Sequence, residues 1–528
     1  MLGGAAFRIV DTVETVAPRM SILSEKRVSR RRRLTTEAAI KAFFGSNAVV
    51  AIVVLALITI FLFREGFGFF GQNLANLRLY RRAGLEYVDI IRSQAQSHAA
   101  LSRQLGEIRL QETRTQQGGG NLETFDQFAG AFSDSGEFLN ALVSDANDQA
   151  LALREALIAA GAPSAVSSAE GESPTVNAAP TDPRLAMAAL RSADDKFPKI
   201  AEAMKAKIDN VLAAPLVLNS SRAKQSFERW QKRTRDYLAQ LPAVSQRLRE
   251  WSPDEAVPAQ RAITSFLFGT NWITASFWQD WYGIIPLLVG SLMVALVALL
   301  IAVPLGVCSA IYVSEVAARG EKSLIKPYIE FISAIPSVVL GFFGIAVVGQ
   351  AVRALSQMPF MKWVPFFPIS ERLNVFTAGS LLALMAVPTI FTLAEDALQN
   401  VPRGFKEASY ALGANRLQTI ARVLVPASLS GIISAILLGL GRVIGETMVV
   451  LLCAGNRIAI PDFTQGLGAF FQPVHTMTGI IAQEMGEVVR GSIHYRALFM
   501  VGLVLFALTL GINYLAQRLV ARYRMSIG

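Results

Sequence analysis

The chain has 528 residues, 52% of them hydrophobic, a mean hydropathy of +0.40 and a formal net charge of +10. That apolar content is high for a wholly soluble protein, and it collects in blocks near 43–63 and throughout 284–516. Two cysteines without close partners, Cys308 and Cys453, exclude a disulfide framework or a cysteine zinc site, and three scattered histidines argue against a histidine-rich metal centre.

In chain order, residues 1–42 are polar to amphipathic. They contain the run Lys26 to Arg33 (KRVSRRRR), with six positive charges. A nucleic-acid patch would look similar. This run stands just before an apolar segment, so it reads as a cytoplasmic topology anchor against anionic lipid headgroups, with no nucleic-acid partner expected. Residues 43–63 form an apolar stretch long enough to span a bilayer. Its length and its distance from the start predict a retained anchor rather than a cleaved leader.

Residues 71–262 read differently. Basic and acidic side chains balance there at 23 each, so the excess charge lies elsewhere. Helical patterning covers Asn73 to Thr113, Leu122 to Ala160, Arg184 to Ala213 and Ser220 to Trp251. Gly118 to Gly120 interrupts the pattern, and Ala162 to Pro183 predicts a loop. The expectation is an inserted helical domain outside the membrane, acting as a spacer, packing or partner-docking element. It shows no catalytic constellation.

Apolar segments resume at 284–516, with expected spans at Ile284–Tyr312, Tyr328–Val352, Val375–Leu393, Ile432–Ala454 and Ala497–Leu515. With the first span these make six, in an all-α integral membrane protein with both termini inside and 517–528 as a cytoplasmic tail. Pro304, Pro336 and Pro388 fall within these spans. Pro304 and Pro336 are expected to kink their helices, since proline removes a backbone donor.

Within Ile432 to Ala454 stand Arg442 and Glu446. Four residues apart, they would share one face of a continuous helix and could pair. A charge at mid-membrane costs roughly 2.5–3.5 kcal/mol on insertion scales, so such residues mark pathways or structural ion pairs. Thr447 could add a hydrogen bond. The inner loop 400–431 holds Glu407-Ala408-Ser409, Gly413 and Val423-Leu424-Val425-Pro426, the pattern of a short surface helix able to enter a partner's groove.

This loop resembles the coupling loop of ABC importer permeases, whose pattern is Glu-Ala-Ala, three residues, Gly, nine residues, then Ile-x-Leu-Pro. Glu407, Ala408, Gly413 and Pro426 stand at that spacing, and Ser409, Val423 and Val425 replace their counterparts. Residues 266–350 and 407–456, with GLGRVIGETM and AGN, resemble the phosphate-specific permease of the PstC type. The resemblance implies a six-helix MetI-like permease with an unusual insertion after the first helix. It implies a phosphate importer subunit in a bacterial inner membrane, with Arg442 and Glu446 in the substrate pathway. Its implied partners are a PstA-type sister permease, an ABC ATPase dimer docking on 400–431, and a periplasmic phosphate-binding protein. No P-loop motif is present, so ATP is expected on the partner and this chain is expected to be neither an enzyme nor a cofactor carrier. The alternatives are a permease for sulfate or molybdate, and a membrane sensor using 71–262, which would need a cytoplasmic signalling domain that neither terminus is expected to hold.

Overall fold

The computed structural model describes residues 20–113, 122–160, 182–274, 276, 279–361, 363–364 and 366–523, with side chains from residue 41 onward except at 111, 122, 222, 520, 522 and 523. The expected glycine interruption at 118–120 and almost all of the 162–183 loop lie outside the described residues, as does the backbone before Met20. The chain divides into two compact units, 1–64 and 65–528.

Helix α1, Met20–Arg82, supplies the described part of the first unit. From Lys41 to Ala56 every side chain is exposed, including Phe43, Phe44, Val49, Ile52 and Leu55. An apolar stretch bare on all sides is what a lipid-facing helix requires. The helix extends well past residue 63, where the apolar stretch ends, and its last turns belong to the second unit.

The second unit begins its own fold at Gly84, whose φ of +74° turns the chain into α2 (Leu85–Thr113). A side chain there would need a left-handed conformation and would meet Leu190. Then follow α3 (Leu122–Asp134), α4 (Glu137–Ala159), α5 (Pro183–Arg191), α6 (Ala193–Ala213), α7 (Ser221–Glu250) and α8 (Ala259–Leu267). Two stretches expected as single helices are each two: 122–160 breaks at Ser135-Gly136, and 184–213 breaks at Ser192. Helices α2 to α7 enclose one core built on large rings, among them Tyr87, Phe125, Phe132, Phe197 and Trp230. Trp230 donates Nε1–H to the Leu101 carbonyl at 2.9 Å and meets Phe132 edge-on at 5.0 Å, so its polar end is satisfied as burial demands.

A two-stranded hairpin, β1 (Trp272–Ile273) and β2 (Trp281–Tyr282), leads into the remaining helices. These are α9 (Ile285–Ile311), α10 (Arg319–Ile332), α11 (Ser337–Phe343), α12 (Gly349–Gln357), α13 (Val375–Gln399), α14 (Arg403–Ala411), α15 (Arg416–Thr419), α16 (Val425–Gly445), α17 (Met448–Cys453), α18 (Met477–Glu484) and α19 (Ile493–Tyr523). Among the described residues, six helical stretches are long and apolar enough to span a bilayer: 41–82, 285–316, 337–356, 375–399, 416–445 and 493–519.

Three expectations change. The span expected at Tyr328–Val352 is broken at Ser333–Pro336, so α10 is a separate helix and Pro336 precedes α11 rather than kinking a continuous one. The residue before a proline is pushed from the helical region, which ends a helix. Pro304 and Pro388 do remain inside α9 and α13. The span expected at Ile432–Ala454 ends at Gly445 and restarts at Met448. At the C-terminus, α19 continues to Tyr523, into the segment expected as tail.

The membrane core is packed with small residues. Ala298, Ala302 and Ala310 of α9 and Ala378, Ala386 and Ala394 of α13 are fully buried. A Cβ on Gly379 would lie 2.6 Å from Val297 Cγ1, so its absence lets α13 lie close against α9.

Candidate functional site

The first candidate site is where α16 ends. Gly439 lies against α13: a Cβ there would stand 2.7 Å from Ile390 Cγ1. Arg442, three residues on, therefore lies close to α13 as well. Its Nη1–H donates to Thr389 Oγ1 at 3.1 Å, and the side chain is otherwise exposed on the surface of this chain.

Glu446 does not share a helical face with Arg442. Its φ/ψ of −74°/133° is extended, so the helix stops one residue before it. The break is held from outside. Thr478 Oγ1–H donates to the Glu446 carbonyl at 2.9 Å, and Met477 N–H donates to Ser291 Oγ on α9 at 2.9 Å. Thr476 caps α18 by accepting from Gly479 N–H. Among the described residues no ion pair joins Arg442 to Glu446 or to any other carboxylate. Thr447 stands at the start of α17, half-buried, with its carbonyl accepting from Leu451 N–H.

The second candidate site is the loop between α13 and α16. Helix α14 carries Glu407 and Ala408 on its exposed side, and Ser409 on its buried side, where its hydroxyl meets Thr419 Oγ1 at 2.9 Å. Gly413 takes φ +81° and closes the turn, with Gly413 N–H donating to Tyr410 O at 2.9 Å. Asn415 and Gln418 cap α15 reciprocally at 2.8 and 2.9 Å. A wide π turn, Ile420–Leu424, precedes Pro426, which has no N–H to offer the residue 422 carbonyl.

Lys406 Nζ reaches Glu315 Oε1 at 2.6 Å, and Arg416 donates to the Glu315 carbonyl, so the loop is pinned to the C-terminal end of α9's span. Lys326 pairs with the buried Glu395 at 3.0 Å and joins α10 to α13. Beside the exposed charges Arg403, Glu407 and Arg422 stand bare apolar side chains: Leu412 is 90% exposed and Leu417 74%, next to Tyr410. Exposed large apolar side chains at a helix turn are the anchors a partner's groove takes.

A family model described as binding-protein-dependent transport system inner membrane component matches residues 302–525. The probable ABC transporter permease protein YqgH of Bacillus subtilis (strain 168) is 36% identical over 258 residues, covering 48% of this chain and 77% of that protein. The chain belongs to this family of ABC importer permeases. The phosphate transport system permease protein PstC of Haemophilus influenzae is 31% identical over 277 residues, or 49% of this permease and 84% of that one. A solved MetNI methionine ABC transporter in an inward facing conformation is 20% identical, covers 46% of this permease and 95% of that chain, and has a TM-score of 0.33.

The permease's family match begins at residue 302, downstream of 71–262. The inserted bundle is nonetheless fastened to the permease. Its own two ends are tied to each other, since Arg81 and Arg261 both grip Glu86, at 2.6 and 2.7 Å, and Arg81 also reaches Glu255 at 3.3 Å. Trp281 of the hairpin meets Tyr80 edge-on at 5.3 Å. Glu107, Arg229 and Arg233 of the bundle line a cavity together with Asp462 and Thr464 of the loop between α17 and α18.

Sequence reasoning singled out Arg442, Glu446 and the loop residues as candidates. It missed Thr389, Glu315 and the Lys326–Glu395 pair, whose partners lie 53, 91 and 69 residues away in sequence. Only the unusual presence of a carboxylate in or beside an apolar run could have drawn attention to Glu315 and Glu395.

Proposed function

We propose that this permease is one half of the membrane pathway of an ATP-driven phosphate importer. The single observation that carries the anion is Arg442, a guanidinium in a membrane-spanning helix that no carboxylate of the described chain neutralises. A planar fork of donors suits a tetrahedral oxyanion, and phosphate supplies both the negative charge and the paired oxygens. The choice of phosphate over sulfate or molybdate rests on relatives named phosphate transport system permease proteins.

In this reading Arg442, Glu446 and Thr447 face the translocation pathway. Glu407, Ala408, Gly413 and Pro426 shape the loop on which an ABC ATPase dimer docks. The pathway is completed by a sister permease of the PstA type, and a periplasmic phosphate-binding protein delivers the substrate. The chain sits in the bacterial inner membrane with both termini cytoplasmic, 43–63 as its first span and 284–516 as its permease core. Residues 71–262 are a periplasmic domain, since the first span carries the chain out and the basic run 26–33 holds its start inside.

The test is uptake by proteoliposomes holding the full complex, with phosphate, sulfate and molybdate offered in turn to the cognate binding protein. Phosphate alone should be accumulated in an ATP-dependent manner. Accumulation of sulfate or molybdate instead would replace the substrate.

A further inference from the structure

Several hydroxyls inside the membrane helices donate back along their own helix. Ser380, Ser428, Ser434 and Thr509 each donate back to the carbonyl three or four residues earlier, at 2.7–3.0 Å. That is the ordinary resting bond of a hydroxyl in a helix. Thr389 departs from it. Its Oγ1 is turned to Arg442 and accepts from the guanidinium, which can only donate. Among the described residues its hydroxyl proton has no acceptor.

Two features put the hydroxyl there. Ile390, the next residue, lies against Gly439 of α16 and against Gly306 of α9, where a Cβ would stand 2.9 Å from Ile390 Cγ2. Thr389 is therefore held at the seam between α13 and α16, half-buried beside the exposed Arg442. A hydroxyl has one proton and two lone pairs, so accepting from arginine leaves the proton free to donate. A half-buried hydroxyl whose proton has no acceptor on its own chain is available to a ligand that brings one.

We propose that Thr389 is a second substrate-contacting residue of the pathway. It fixes the orientation of the Arg442 guanidinium and donates its own hydroxyl hydrogen bond to a tetrahedral oxyanion held there. This deepens the pathway reading of Arg442 and depends on it. The anion would then meet two donors of different kinds, a charged fork and a neutral hydroxyl, presented from two helices. Relative movement of α13 and α16 would separate them and release the anion.

The experiment uses the full complex in proteoliposomes, with the binding protein saturated with inorganic phosphate so that the maximal uptake rate is read. Thr389→Val keeps the shape and removes the hydroxyl, Thr389→Ala removes it differently, and Thr389→Ser keeps it. Val and Ala should slow maximal uptake roughly tenfold, as the loss of a hydrogen bond to a charged species predicts, and Ser should restore it. Arg442→Ala is run alongside. If it abolishes uptake while Thr389→Val transports at the wild-type rate, the Thr389 assignment fails alone. If Arg442→Ala also transports normally, the pathway reading falls and the assignment with it. Equal slowing by Val and Ser, or failure of both Val and Ala to assemble when Ser assembles, would make the role a packing one and overturn the proposal.

Discussion

The bundle and the seam between α9 and α13 are packed on different residues. The bundle's largest fully buried side chains are rings, Trp230, Tyr87, Phe125, Phe132 and Phe197. The α9–α13 seam is built on Ala298, Ala302, Ala378, Gly379, Ala383 and Ala386. The difference follows from the surrounding solvent. In water, each large ring removed from solvent contributes directly to folding. In lipid, tails are as apolar as leucine, so helices associate through close backbone approach, which small residues permit. One chain therefore carries two packing regimes, and each should fail in its own way.

The largest effect is expected from Trp230→Ala. Removing a fully buried tryptophan should cost the bundle about 3–5 kcal/mol. Limited proteolysis should then cut within 71–262 while α9 to α19 stay protected. If the membrane helices become sensitive as well, the two regions form one cooperative unit and the contrast is wrong.

The converse is Gly379→Leu. Its Cβ would enter the space of Val297, and overpacking of this kind costs about 1–3 kcal/mol. The expected result is reduced recovery of folded permease in detergent with the bundle's protease resistance unchanged. An equal loss of bundle resistance would again count against separate regimes.

A smaller effect distinguishes the bundle by pH. His98 is buried, stacked on Phe132 at 4.7 Å, with Nε2 beside the Phe132 carbonyl and Ser135 Oγ. Burial lowers its proton affinity, and the hydrogen bond to Phe132 offsets this only in part. The neutral form is favoured in the folded bundle, so this contribution is fully present above the unfolded value near pH 6.5. It is lost as the pH falls below that, because the unfolded chain then binds the proton. The bundle's unfolding midpoint should fall between pH 7 and 5, and His98→Phe should flatten that slope. An unchanged slope would assign the pH dependence to other groups.

How much of this was legible depends on how local the cause is. The six spans follow from runs of apolar residues, which need no tertiary information. The Gly413 turn and the Pro426 helix start follow from residues whose backbone preferences act locally. The break at Glu446 did not follow, because the sequence around Gly445 is compatible with a continuous helix. It is α18, thirty residues later, that anchors the interruption through Thr478. For the same reason the expected Arg442–Glu446 pair is replaced by Arg442–Thr389, a contact made only once α13 and α16 are packed. In the bundle, helical pattern was visible, but the Ser135-Gly136 and Ser192 breaks were not, since neither carries a proline or a run of glycines.

On the proposed function the membrane core, not the bundle, holds the anion pathway, with Arg442 at its centre. The most direct measurement is ATP-dependent phosphate uptake by the reconstituted complex carrying Arg442→Ala, compared at equal assembly with wild type. Uptake should be lost with the six spans inserted and the partners still bound. Uptake at the wild-type rate would contradict it.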